Sequence, residues 1–182
     1  MKIRAKILFC LLCIFLLLGC QSSKTPQGIS AQVQRVISGN TIEVVVNTNT
    51  VALIERVRLL GIEAPDLQQS PWGMRAKEKL EQLLAKNSSP PLVFQSVVLE
   101  SPNNAKDRFG RRLAYVWCNG ILVNETLVKE GYALASSLSQ TQDHSRFLSA
   151  QEYARLMGYE IWNPEQPMRL TPTEFRAQTQ TN

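Results

Sequence analysis

The chain has 182 residues, 44% hydrophobic and 19% charged, enough for one domain that buries a proper core. Its formal net charge of +5 permits an anionic partner without demanding one, so a case for nucleic acid must rest on where the arginines sit. Of four cysteines only Cys118 lies beyond the first 20 residues, which excludes an internal disulfide or a zinc site built on thiolates in the folded part.

The chain opens on MKIRAK, a basic stretch, followed by the apolar run ILFCLLCIFLLLG, which is short for a membrane span. The run ends in Leu17-Leu18-Gly19-Cys20, which resembles a bacterial lipobox, where the leader is removed and the cysteine acylated. The other reading is an uncleaved N-terminal membrane anchor. The abrupt switch to the polar QSSKTPQG favours a cleaved leader and a tether. Residues 1–19 are thus expected to be a lipoprotein signal peptide and 20–29 a linker lipid-anchored through Cys20. The expected location is the cell envelope, facing periplasm or exterior. Three basic residues leave with the leader, so 17 face 15 acids and the net charge falls to +2. Cys118, beside Trp117 in a strand-like run, reads as a small buried apolar residue.

Residues 33–37, 41–46 and 51–60 read as three strands, rich in β-branched residues and joined by the turns Ser38-Gly39-Asn40-Thr41 and NTNT. A helix follows, with Ser70 as its cap and Pro71 in its first turn. Ala76, Leu80, Leu83 and Leu84 form one apolar stripe along it, and NSSPP ends it. Residues 92–100 and 112–117 read as a fourth and fifth strand, with SPNNAKDRFG as the loop between them. Asn119-Gly120 is a two-residue turn signal. Two more helices are expected, near 123–130 and 145–157, with Gly131 and Gly158 as stops. There is no internal repeat. The order predicts an α+β fold: a five-stranded OB-type β-barrel with three helices over residues 30–163, then a polar, loosely held tail over 164–182.

Two segments could carry chemistry. VRLLGIEAPD holds Arg58, Glu63 and Asp66; alternation puts Arg58 on one strand face with Leu60 and Ile62, where a cation is expensive to bury unless paired. Two acids and an arginine so close could hold a cation and a phosphate together, or could be an ordinary surface salt-bridge cluster. KDRFGRRLAYVW clusters basic residues around Gly110 before a strand; arginine suits phosphate because its planar fork donates two parallel hydrogen bonds. A solvated basic loop is the bland alternative. Tyr115 reads as core or groove lining, His144 as a helix-terminus residue, and Trp72 and Trp162 as packing between helices and barrel.

Taken together, SGNT, VRLLGIEAP, SPWG, KDRFGRRLAYV and VNETLVKEGYA resemble the thermonuclease family, the staphylococcal-nuclease-like domain, from about Val33 to Trp162. The resemblance implies hydrolysis of DNA or RNA with little sequence preference, one calcium ion, and in-line breakage of the 5′ P–O bond. By motif, Arg58 and Arg111 would grip the phosphate and Asp66 would act as general base. Asn40, Glu63 and the backbone carbonyl of Ala64 would supply metal ligands. The family turn is typically Asp-Gly-Asp-Thr, so here both its acids are missing; Glu63 stands for the usual aspartate and Asp66 for the usual glutamate. A charge-poor site holds calcium less tightly. The alternative is therefore a catalytically inactive nucleic-acid-binding envelope lipoprotein of the same fold; a barrel binding a glycan or protein is a more distant one. The expected partners are DNA or RNA and, through Cys20, the membrane. A monomer without a protein partner is expected.

Overall fold

In the computed structural model, residues 26–47, 51–136 and 143–179 are described; the leader and Cys20 lie outside them. The strands follow from alternation. In β1 (Ile29–Ser38) Ala31 and Val33 face inward, and so does Val36, because a register shift between Val33 and Arg35 resets the phase by one residue. A second shift lies beside the turn to β2 (Thr41–Asn47). The bends let β1 pair antiparallel with β2 and also with β5 (Ser96–Glu100). β2 continues antiparallel into β3 (Ala52–Leu59), with Thr41 directly opposite Arg58.

After the short β4 (Ile62–Glu63), helix α1 (Trp72–Leu84) crosses to β5, which pairs antiparallel with β6 (Arg112–Cys118). The closing contact is parallel, β3 against β6, with Val57 beside Arg112 and Arg58 beside Leu113. The barrel order is therefore β1-β2-β3-β6-β5 and back to β1. Closure places the start of β6 at the end of β3 that carries Arg58. Two short strands finish the sheets: β7 (Ile121–Leu122) folds back on β6 through the Asn119-Gly120 turn, and β8 (Leu134–Ala135) pairs with β4.

Val44, Val57, Leu59 and Val116 fill the barrel, and Ala76, Leu80 and Leu84 of α1 cover its open side as the stripe predicts. Each fully buried aliphatic here contributes about 1.5–3 kcal/mol by leaving water. In α2 (Val123–Lys129) Asn124 is fully buried but satisfied: it accepts from Val116 N at 2.8 Å and donates to Leu60 O at 2.8 Å, tying the helix to the barrel wall. Phe147 of α3 (His144–Met157) is fully buried and its ring lies 6.0 Å from that of Tyr115.

The structure departs from the sequence reading in four places. Arg58 does not share a buried face with Ile62: Val57 and Leu59 point into the core, Arg58 alternates to the other face, and Ile62 is buried after the chain turns at Gly61 into a new strand. Ser70 does not cap α1; Pro71 occupies that position and no side chain caps the end. The fourth strand is shorter than predicted, beginning at Ser96. Finally, the tail is not loose: among the described residues a fourth α-helix stands beyond the three expected. Thr171-Pro172-Thr173-Glu174 is a capping box: Thr171 N donates to Glu174 Oε2 at 2.7 Å and Glu174 N to Thr171 Oγ1 at 3.3 Å, with Pro172 in the first turn of α4 (Pro172–Thr179). Gln69 Nε2 donates to Leu170 O at 2.7 Å and Phe175 shares a groove with Trp72, so the segment is docked beside the start of α1.

Candidate active site

The site lies where the β1–β2 turn, the end of β3 and the loop before β6 meet. Two glycines permit the close approach. A Cβ on Gly39 would stand 2.6 Å from the Ala76 methyl and 2.9 Å from that of Ala64, so the SGNT turn sits directly on α1. A Cβ on Gly73 would overlap the Asp66 carbonyl, so the first turn of α1 holds the Asp66 segment in place. Both contacts require the absence of a side chain.

Between these elements lies an open cleft of about 480 Å³. Asn40, Thr41, Arg58, Ala64, Asp66 and Arg111 line it, together with Arg108 and Phe109. Arg58 is half-buried and reaches the Ile62 carbonyl at 3.5 Å; no carboxylate among the described residues forms an ion pair with it. Burial first, and then the like charge of Arg111, press its guanidinium below its ordinary pKa. The carboxylates of Glu63 and Asp107 offset this only in part, and two cations set against one cleft can receive an anion.

Arg111 is positioned by a residue that sequence reasoning missed. Asp107 Oδ1 accepts from Phe109 N at 2.9 Å and Arg111 N at 3.0 Å, while Oδ2 accepts from Arg111 Nε at 2.7 Å and lies 2.7 Å from Nη2 in the same ion pair. Burial alone would raise its pKa, but the bonds from Arg111 and the loop N–H groups outweigh that and hold it below 3.8. The signal was an Asp four residues before the arginine in DRFGR, hidden by reading the segment only as basic. Arg112, by contrast, pairs in a two-pronged contact with Glu55 across the β3–β6 seam, 2.7 and 3.1 Å, and belongs to the barrel. Phe109 is 68% exposed, with the guanidinium carbons of Arg108 and Arg111 at 4.8 and 5.3 Å from its ring centre.

The proposed ligands are less well assembled. Asn40 is buried, and its Oδ1 accepts from Ser38 Oγ at 3.3 Å and Thr41 Oγ1 at 3.2 Å. Ala64 is buried and lines the cleft. Asp66 Oδ1 accepts from Gln68 N at 3.1 Å. Glu63 turns to α4: its Oε1 accepts from Thr173 Oγ1 at 2.7 Å and from Arg176 Nη2, and Arg176 also lines the cleft. Oxygen donors are the type a hard cation takes, but affinity rises with ligand charge. Here one ligand is a neutral amide already accepting from two hydroxyls, and the charged one is neutralised by a guanidinium. Among the described residues no cluster of three or more acids, histidines or cysteines could hold a metal. As arranged, the set does not fit a tightly held calcium ion. His144 opens α3 and is not part of the cleft, and Cys118 is buried, its thiol pushed up in pKa by that burial.

The closed five-stranded barrel is the fold that the sequence motifs imply; the parallel β3–β6 seam that closes it is a finding of the structure. The family model described as staphylococcal nuclease homologue matches residues 56–164. The chain is 34% identical to the thermonuclease of Staphylococcus intermedius over 78% of this chain and 81% of that one. It is 31% identical to the thermonuclease of Staphylococcus hyicus, over 72% and 75%. It is also 29% identical to an uncharacterized endonuclease of Haemophilus influenzae, over 98% and 89%. The chain belongs to the staphylococcal nuclease family.

Proposed function

We propose that the chain is a nuclease hydrolysing phosphodiester bonds of DNA or RNA with low sequence specificity. The observation that carries this reading is the convergence of Arg58, Arg111 and Asp66 on one open cleft, with no ion pair on Arg58 among the described residues. A phosphodiester has one negative charge, and attack by water adds a second on the phosphoryl oxygens. Arg58 and Arg111, both lining the cleft, would offset that charge as it develops. Asp66 would take the proton of the attacking water while the P–O bond to the 5′ oxygen breaks, and the leaving oxygen takes a proton from solvent. Because phosphate contacts carry no base information, such a grip is indifferent to sequence.

A specific observation favours a second reading, binding without cleavage: the neutral Asn40 and the Glu63–Arg176 pair leave the cleft poor in free carboxylate. Incubating the full chain, in detergent, with single- and double-stranded DNA and with RNA separates the two. The assay is run with millimolar calcium and with chelator, because calcium dependence is the family expectation and the observed ligands fit it poorly. Cleavage that disappears in Arg111→Ala supports the nuclease. Salt-sensitive binding without cleavage supports the second reading, and neither binding nor cleavage contradicts both. We further propose export and lipid anchoring through Cys20, supported by the LLGC stretch and the polar segment after it. Labelling by a radioactive fatty acid, lost in Cys20→Ser, is the expected result; unlabelled protein refutes it.

A further inference from the structure

The cleft contains a cation that none of the nuclease motifs supplies. Arg176 comes from α4, outside the stretch matched by the family model, yet it lines the same cleft as Arg58 and Arg111. Its place is built, not incidental. The capping box at Thr171 and Glu174 starts the helix, Gln69 holds the Leu170 carbonyl, and Thr173 and Arg176, three residues apart on one helix face, both bind Glu63 Oε1. Only Nη2 of the guanidinium is used, for Glu63 and for Thr173 Oγ1 at 3.2 Å. The Nε and Nη1 donors have no hydrogen-bond partner among the described residues. Glu63 is also the one charged member of the expected metal-ligand set.

We infer that Arg176 is the resident cation of this site: anchored on Glu63, where a divalent ion would otherwise draw its charge, it forms the third phosphate contact beside Arg58 and Arg111. The inference rests on the nucleic-acid reading above and deepens it. It implies that the chain binds a phosphodiester without any divalent cation. An arginine keeps its charge at all working pH values, and its Nε–H and Nη1–H groups remain to donate single bonds to a phosphate. Glu63 then acts as a positioning residue for Arg176 rather than as a metal ligand in the resting site.

The test is binding of a fluorescent single-stranded oligonucleotide to the full chain in detergent, in chelator, across a salt series. Wild type should bind in chelator. Arg176→Ala should bind about tenfold more weakly, and the slope of log affinity against log salt should drop by about 0.7, one phosphate contact on a single strand. Arg176→Gln, of nearly the same size but neutral, should behave alike and covers the case in which the smaller variant disturbs α4. Calcium affinity, read by calorimetry without nucleic acid, should rise in both variants as Glu63 is released. Wild-type affinity and slope in both variants overturns the inference, as does unchanged calcium affinity. Binding of wild type only when calcium is added leaves the nucleic-acid reading standing and removes the resident-cation role. No binding under any condition, with Arg111→Ala indistinguishable from wild type, removes both.

Discussion

Replacing Asp107 by asparagine removes one of the two oxygens that orient Arg111 while keeping the size of the side chain. In the native loop that carboxylate accepts three N–H groups, Nε of Arg111 and the backbone N–H of Phe109 and Arg111, and pairs with Nη2 as an ion. The amide retains an oxygen for the backbone pair but presents an NH2 to the guanidinium, where both are donors. Arg111 should then swing out of line. Displacement of a phosphate-binding group by on the order of 1 Å lowers the rate by about a hundredfold. Loss of charge-assisted bonds at a half-buried site costs about 1.5–3 kcal/mol of stability. Steady-state cleavage of a defined oligonucleotide should show a fall in kcat/KM of about 10–100-fold. A double-mutant cycle supplies the readout a merely structural role would not move: in an Arg111→Ala background, Asp107→Asn should change kcat/KM hardly at all. Equal losses in both backgrounds would refute the claim that Asp107 acts through Arg111.

Three further outcomes are expected. Gly39→Ala should lower the melting temperature and activity together, because its methyl would stand 2.6 Å from that of Ala76 and push the SGNT turn off α1; an unchanged melting curve contradicts that contact. Phe109→Ala should raise KM for single strands with little effect on stability, since the ring is 68% exposed beside the cleft and stacking on an aromatic contributes about 1–3 kcal/mol per base; equal KM values would remove it from the binding surface. Acid should weaken the fold through Asp107 and Glu55, both depressed in the folded state, Glu55 chiefly by its hydrogen bond from Arg112. Their contribution is present above the ordinary values of 3.8 and 4.5 and is lost as pH falls below them. Acid titration of Glu55→Gln, followed by circular dichroism, should show a shallower loss than wild type, and an equally steep loss would refute the assignment.

The barrel was legible because its strands alternate β-branched residues between strong turn signals, and the α1 stripe was legible because Ala76, Leu80 and Leu84 repeat at helical spacing. β4 and β8 were not, because two residues are too few to show a period. The face of Arg58 was misjudged because alternation was carried across Gly61, where the strand ends. The convergence of Arg58 and Arg111 was expected only through the family motifs; what creates it is the parallel β3–β6 pairing, which no local pattern announces. Asp107 and Arg176 were hidden for different reasons. Asp107 lies in a loop read only for its basic residues. Arg176 lies in a segment read as a polar tail, although TPTE carries the signature of a helix start. That misreading concealed the partner of Glu63, and with it the reason the expected calcium ligands are not free.

The most direct test of the central claim is the single-turnover cleavage rate of one end-labelled oligonucleotide by wild type, Arg58→Ala, Arg111→Ala and Asp66→Asn. The cleft described here predicts cleavage by wild type and a loss of at least about a hundredfold in each variant with the fold intact by circular dichroism. Wild-type rates in Arg58→Ala and Arg111→Ala would contradict it, because the chemistry would then lie elsewhere.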